Sequence, residues 1–325
     1  VTEGAAGDVT DDPVARFATY VATLGRGPGR SRALTRAEAA DAMRLLLEGA
    51  PDPVQVGAFL MLLRYRGEDA AEIAGLVDGA RTRMGLPGLS VALDWPSYGA
   101  GRTRGAPWFL LAALTLGQAG WPVLMHGSNE FSGGMTVPAA LARLGLAPAG
   151  DAAAGLSARG FAYVGVDRLS PEFAALLGLR RLLGLRSPMN TVARLLNPGG
   201  AAAGVDGVFH PPYIDVHLSA AALLDRQRLL VLKGGGGEAE RNPAKEVEAH
   251  LFTAGHGREM HALPALTRAA PADPEPDIAA IWQGTARDAA VEARVVGTIA
   301  LGLLALGAGG DAAAQRLWDN RRTDR

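Results

Sequence analysis

Between Val91 and Asn129 the chain places two glycine-rich turns directly after apolar, strand-like runs: VALDWPSYGAGRTRGAPWFLLAALTLGQAGWPVLMHGSN. The first turn follows Tyr98 and carries Gly99, Gly101 and Gly105 with Arg102 and Arg104 among them. The second is His126, Gly127, Ser128 and Asn129, with Ser132 shortly after. Glycines let backbone N–H groups approach an anion closely, and a helix that follows adds partial positive charge at its start. With two guanidinium groups beside such amides, phosphate is the ligand class to expect. A strand-to-helix turn with solvated arginines has the same composition, so the loop alone does not decide.

Other candidate groups are less specific. A third glycine run, Gly234–Gly237, follows LLVLK at Lys233 and precedes Glu238; it can hold an anion or simply turn tightly. His126 ends an apolar run, where either a sugar-phosphate contact or a structural hydrogen bond fits. His210, His217, His250, His256 and His261 have no zinc-like spacing and read as solvated loop residues. Asp206 and Asp215 are a candidate carboxylate pair without a readable geometry. No Gly-x-Ser-x-Gly elbow occurs, and with no cysteine the chain has no disulfide, thiolate metal site or cysteine nucleophile.

The elements that must position these residues follow from hydrophobic period. Pro13–Leu24 reads as a first helix; Thr35 and Glu38 form a capping-box pattern for a second, ending near Glu48. Asp52 caps a third, Val54–Arg66, and Glu68–Met84 is a fourth. From Val91 short β-rich runs (VALDW, WPVLMHG, FAYVG, GVDGVFH, LLVLKGG) alternate with Ala/Leu helices, the rhythm of an α/β sheet with crossovers. Ser170–Asn197 reads as two helices without a strand between, Gly255–Pro276 as an extended surface connection, and Thr285–Leu306 as a final helix. The expected organisation is a small helical domain, 1–85, joined in space by helices from 170–197, and a large α/β domain, 86–325, with a mainly parallel central sheet.

Composition limits the partners. A net charge of −1 over 325 residues gives no global field for nucleic acid or membrane, so any polyanion site must be a local patch. Lys233 and Lys245 are the only lysines; arginine carries the remaining positive charge. No run reaches the roughly 18 apolar residues of a membrane span. A cytoplasmic protein without a membrane partner is the expectation.

The order of these parts resembles the anthranilate phosphoribosyltransferase family of the nucleoside phosphorylase and phosphoribosyltransferase superfamily (glycosyltransferase family 3). The strongest match is Arg180–Pro198, where Arg180, Gly184, Arg186, Asn190 and the Asn197-Pro198 stop fit the family's RxxLGxRxxxNxLxxxxNP-like pattern. There the resemblance implies that Arg180 faces the acceptor substrate. Met125–Asn129 is similar to the family's Lys-His-Gly-Asn loop beside the sugar phosphate. The resemblance implies a diphosphate-binding first loop, magnesium, and transfer of phosphoribose through an oxocarbenium-like state without a covalent enzyme intermediate.

Several positions depart from that pattern. The family's Gly-Thr-Gly-Gly-Asp run stands here as Tyr98–Arg102, YGAGR, and its polar helix start as Ala106–Leu110, APWFL. Met125 replaces the lysine, Ser132 alone remains of a serine-rich loop, and Glu238, with Glu240 in a shifted frame, is all that represents the metal-binding Asp-Glu pair. Such changes look like the divergent second branch, which includes YbiB-like proteins that bind nucleic acid; Trp95-Pro96-Ser97-Tyr98 and His210-Pro211-Pro212-Tyr213 are similar to segments shared there. That resemblance implies a phosphate-rich ligand such as single-stranded nucleic acid, held by Arg102, Arg104, Arg180, Arg181, Arg186, Lys233, Arg241 and Lys245. Trp95, Tyr98 or Trp108 would stack bases, or else lie in the core. The alternative is an active glycosyl- or phosphoribosyltransferase using 5-phosphoribosyl diphosphate and magnesium with an altered acceptor. A symmetric homodimer through the apolar stretch Val54–Tyr65 is expected in either case.

Overall fold

The computed structural model describes residues 12–27, 29–99, 105–128, 130–146, 151–270, 272 and 274–323. They form two compact units, one of Val1–Met84 with Ser170–Leu196 and the other of Gly85–Leu169 with Asn197–Arg325.

The helical unit opens with α1 (Pro13–Gly25), α2 (Arg36–Glu48), α3 (Pro53–Arg66) and α4 (Ala70–Met84). Asp12, Thr35 and Asp52 cap the first three, and Thr35 and Glu38 make a full capping box. The Arg32 guanidinium bonded to Glu38 holds that carboxyl down at about 2, against the opposing effect of partial burial. Helices α2 and α4 pack closely because α4 has glycines at the contact. A Cβ on Gly75 would lie 2.2 Å from the Arg36 carbonyl oxygen, and one on Gly79 2.4 Å from that of Ala40.

The α/β unit begins with β1 (Leu93–Ser97), α5 (Phe109–Gln118), β2 (Val123–Gly127), α6 (Val137–Arg143), α7 (Ala152–Arg159), β3 (Phe161–Gly165) and α8 (Val166–Leu169). The chain then returns to the helical unit for α9 (Pro171–Gly178), α10 (Arg180–Leu183) and α11 (Met189–Leu195), three short helices where the sequence suggested two. It re-enters the α/β unit as β4 (Ala203–Val208), α12 (Tyr213–Leu223), β5 (Arg228–Lys233), β6 (Val247–Thr253), β7 (Gly257–Leu263), α13 (Ile278–Gln283), α14 (Ala289–Leu306) and α15 (Asp311–Asp319).

The seven strands lie in the order β3-β2-β1-β4-β5-β6-β7, with β1 to β5 parallel and β6 and β7 antiparallel. Here the structure corrects two expectations: the helix read as the final one, ending at Leu306, is followed by α15, and part of the expected surface connection is a strand. The stretch read as an extended connection from Gly255 begins with the second strand of a hairpin. In β6, Val247, Ala249 and Leu251 are buried in alternation, whereas β7 is largely exposed on both faces and so lacks a hydrophobic period. The core holds α5 and α14 against the sheet. Among the described residues α14 alone has the length and mean hydropathy (1.8) of a membrane span, although Glu292 and Arg294 interrupt it; 67% of that window is buried inside this unit.

Candidate functional site

Parallel pairing of β1 with β2, from Leu93↔Val123 to Ser97↔Gly127, ends both strands at the same end of the sheet, where Gly99 follows β1 and Ser128 follows β2. The Ser128 amide donates to the Ser97 carbonyl at 3.2 Å. Gly127 is required for this approach, since a Cβ there would lie 1.9 Å from that same oxygen. Between β1 and β4 the pairing covers only Leu93↔Ala203 and Asp94↔Gly204, and Glu238 fills the space beyond. A Cβ on Gly99 would lie 2.3 Å from Glu238 Oε1. One on Gly207 would lie 2.2 Å from the Glu238 carbonyl carbon, and one on Gly234 1.6 Å from its oxygen. The third glycine run therefore turns tightly so that a buried carboxylate can lie against the first loop.

Beneath this end of the sheet runs a buried polar chain. The Tyr98 hydroxyl lies 2.9 Å from His126 Nδ1, His126 Nε2 lies 3.3 Å from Asp94 Oδ1, and Arg226 donates to Asp94 Oδ2 at 3.1 Å. With the proton on Nε2 facing the carboxylate, Nδ1 accepts from Tyr98. Burial would raise the Asp94 pKa, but Arg226 and His126 outweigh it and hold the carboxyl below its ordinary value. Asp94 and Arg226 were missed from sequence; the available signal was an aspartate inside the apolar run VALDW, since a buried charge needs a partner. The expectations that His126 contacts phosphate and that Trp95, Tyr98 or Trp108 stack bases are corrected. All four side chains are buried in the described structure, and His126 faces Tyr98 and Asp94.

The start of α5, where the resemblance places a diphosphate, carries carboxylates of this chain. Glu240 Oε2 accepts from the Phe109 amide at 3.0 Å. Glu275 Oε2 accepts from Trp108 Nε1 at 3.2 Å and from the Ala106 amide at 3.4 Å. Arg294 lies between them, 3.9 Å from Glu240 Oε1 and 3.5 Å from Glu275 Oε1. Glu275 also lines a cavity of about 510 Å³ with Gly105, Gly133, Gly134, Met135 and Arg143. The Met135 amide donates to the Gly105 carbonyl at 3.0 Å, tying the two loops together. An acidic side chain at a helix start is stabilising for the same reason that a phosphate is.

The remaining candidates divide plainly. Lys233 ends β5 exposed, Lys245 is exposed, and Ser128 and Ser132 are half-buried in the second loop. Gly101, Arg102, Arg104 and Asn129 lie outside the described residues. Arg180, Arg181 and Arg186 belong to the helical unit, Arg181 exposed and the other two half-buried. Met125 is a core residue of β2. Arg241, expected in a basic groove, is buried and bonded to Asp311 at 2.6 Å and to the Pro264 carbonyl at 2.7 Å. Asp206 and Asp215 do not pair: Asp206 bonds His217, which is buried rather than solvated, and Asp215 lies 3.3 Å from Arg258. The motif residue Asn197 has a left-handed backbone and closes its turn by accepting from the Ala201 amide at 2.9 Å.

Among the described residues no three His, Asp or Glu side chains converge on one point. Of the two carboxylates that the resemblance sets at a metal, Glu238 is buried against Gly99 and Glu240 accepts from the Phe109 amide at the start of α5.

A helical bundle and a mainly parallel α/β sheet with glycine turns at its strand ends define a glycosyltransferase-type scaffold, and residues 7–84 match the helical bundle domain of the glycosyl transferase family. The chain is 31% identical over 247 residues to anthranilate phosphoribosyltransferase of Methylocella silvestris, covering 74% of this chain and 71% of that one. It is 33% identical over 210 residues to the Anaeromyxobacter sp. (strain Fw109-5) enzyme, a match spanning 62% of each protein's length. Its fold is similar to the crystal structure of anthranilate phosphoribosyltransferase from Thermus thermophilus, with a TM-score of 0.74 at 24% identity over 93% of this chain and 94% of that one. The chain belongs to the anthranilate phosphoribosyltransferase family.

Proposed function

We propose that this chain uses a phosphoribosyltransferase scaffold to bind a phosphate-rich ligand, single-stranded nucleic acid being the best fit, without transferring phosphoribose. The observation that carries the reading is the start of α5, where Glu240 and Glu275 lie on the Phe109 amide and on Trp108 and Ala106. A diphosphate brought there would meet two carboxylates instead of open amides. Replacement of the acidic loop by YGAGR and of the lysine by Met125 supports the same reading.

Ligand contact falls to cations at loop positions: Lys233, with Arg102 and Arg104 in the first loop, while Arg180 and Arg181 of the helical unit are separate candidates. Such contacts neutralise phosphates and release counterions, so binding weakens with salt and depends little on base identity. The test is fluorescence anisotropy with a labelled single-stranded oligonucleotide at two salt concentrations. Wild type binds at about 50 mM salt. Alanine at Arg102, Arg104 or Lys233 weakens binding for all sequences and flattens its salt dependence. Absence of binding at low salt overturns the nucleic-acid reading.

The second reading is an active transferase with an altered acceptor, favoured by relatives that are anthranilate phosphoribosyltransferases at 31% and 33% identity. Turnover of anthranilate and 5-phosphoribosyl diphosphate with magnesium above roughly 1 per second would establish it in place of the first.

A further inference from the structure

We propose that the outer edge of β7 pairs with β7 of a second copy of this chain, antiparallel, about a two-fold axis at Met260. This inference is independent of the ligand and of the reaction. Strand β7 is the last in the sheet order, and among the described residues no strand pairs with its outer side. Gly257, Arg258, Glu259, Met260 and Ala262 are all exposed. An exposed edge presents unpaired backbone donors and acceptors, which proteins usually guard with charge.

The charges here do not guard the edge. Arg258 is turned back onto α12, 3.3 Å from Asp215 Oδ1 and 2.5 Å from Ser219 Oγ. Glu259 and His261 lie on one face of the strand, with His261 Nε2 3.5 Å from Glu259 Oε2.

Register selects the occupant. Overlaying all of Gly257–Leu263 on an antiparallel copy puts Gly257 opposite Leu263, Arg258 opposite Ala262 and Met260 opposite itself. The same register sets Glu259 of each copy opposite His261 of the other. Full strand overlap and acid-to-imidazole pairing thus require one alignment, and opposed pairs of this kind are what stabilise a ladder. Met260, 52% exposed, would be covered at the axis.

Because the chain has no cysteine, single substitutions report this register directly. Under mild oxidation Met260→Cys should form a covalent dimer at least about ten times faster than Arg258→Cys or Ala262→Cys, because pairing raises local concentration only for residues brought together. Two copies of residue 258 would be roughly 13 Å apart along the strands. A mixture of Arg258→Cys and Ala262→Cys chains should cross-link to each other. A denaturing gel reads only the new bond, so association through another surface does not interfere. Equal rates for the three single variants, or no bond at Met260 in protein whose circular dichroism is unchanged, overturns the proposal.

Discussion

Asp94 and Arg226 form a buried charge pair, and removing one partner strands the other. Asp94→Asn should cost about 3–5 kcal/mol in urea unfolding, because Arg226 would stay in the core without its counter-charge. The pH dependence follows from the lowered Asp94 pKa. Its contribution is complete above the ordinary aspartate value of about 3.9 and is lost as pH falls through the lower folded value. Acid titration of the unfolding free energy should therefore show a loss that the asparagine variant lacks. Gly127 offers a second test. Alanine would press a methyl group on the Ser97 carbonyl and should destabilise by about 1–3 kcal/mol or more. Alanine at Gly235, where a Cβ meets nothing within 4 Å, should stay within about 0.5 kcal/mol. At this scale the sequence disclosed residue types better than their surroundings. Glu238 was readable as a candidate, but Gly99 of the first loop and Gly207 of β4 lie far from it in sequence, and only the fold brings them against it.

Among the elements, α5 depends on side chains far along the chain. Its N-cap residue, Trp108, makes no side-chain cap bond, and Glu240 supplies the acceptor for Phe109. Glu240→Ala should cost about 1 kcal/mol, measured by chemical denaturation, as loss of an ordinary cap does. Helix α3 carries the assembly expectation: Val54 and Tyr65, near its two ends, are 80% and 91% exposed. Sedimentation at micromolar concentration should show self-association that Tyr65→Arg weakens, and a wild-type monomer would count against this surface. The capped helices were legible because caps are local: Thr35 with Glu38 and Asp52 with Gln55 are three residues apart. The β6–β7 hairpin was not legible, since a strand solvated on both faces has no apolar alternation to reveal it.

For the whole molecule, fold class and family were legible because they rest on order: helices first, then β-rich runs alternating with helices, then the Arg180–Pro198 pattern. What occupies the start of α5 was hidden, as it depends on Glu275 reaching Trp108 across 167 positions of chain. The helical unit itself is discontinuous: Arg81 donates to the carbonyls of Leu195 and Leu196, and Thr191 donates to Glu68 at 3.0 Å. During synthesis the amino-terminal helices therefore leave the ribosome without the partners that complete them, and must wait while everything from Gly85 to Leu169 emerges. The usual progression, in which the first domain is finished before the next begins, is interrupted here. Nascent chains arrested before residue 170 should leave α4 protease-sensitive, and arrest late enough to expose Leu196 outside the exit tunnel should protect it.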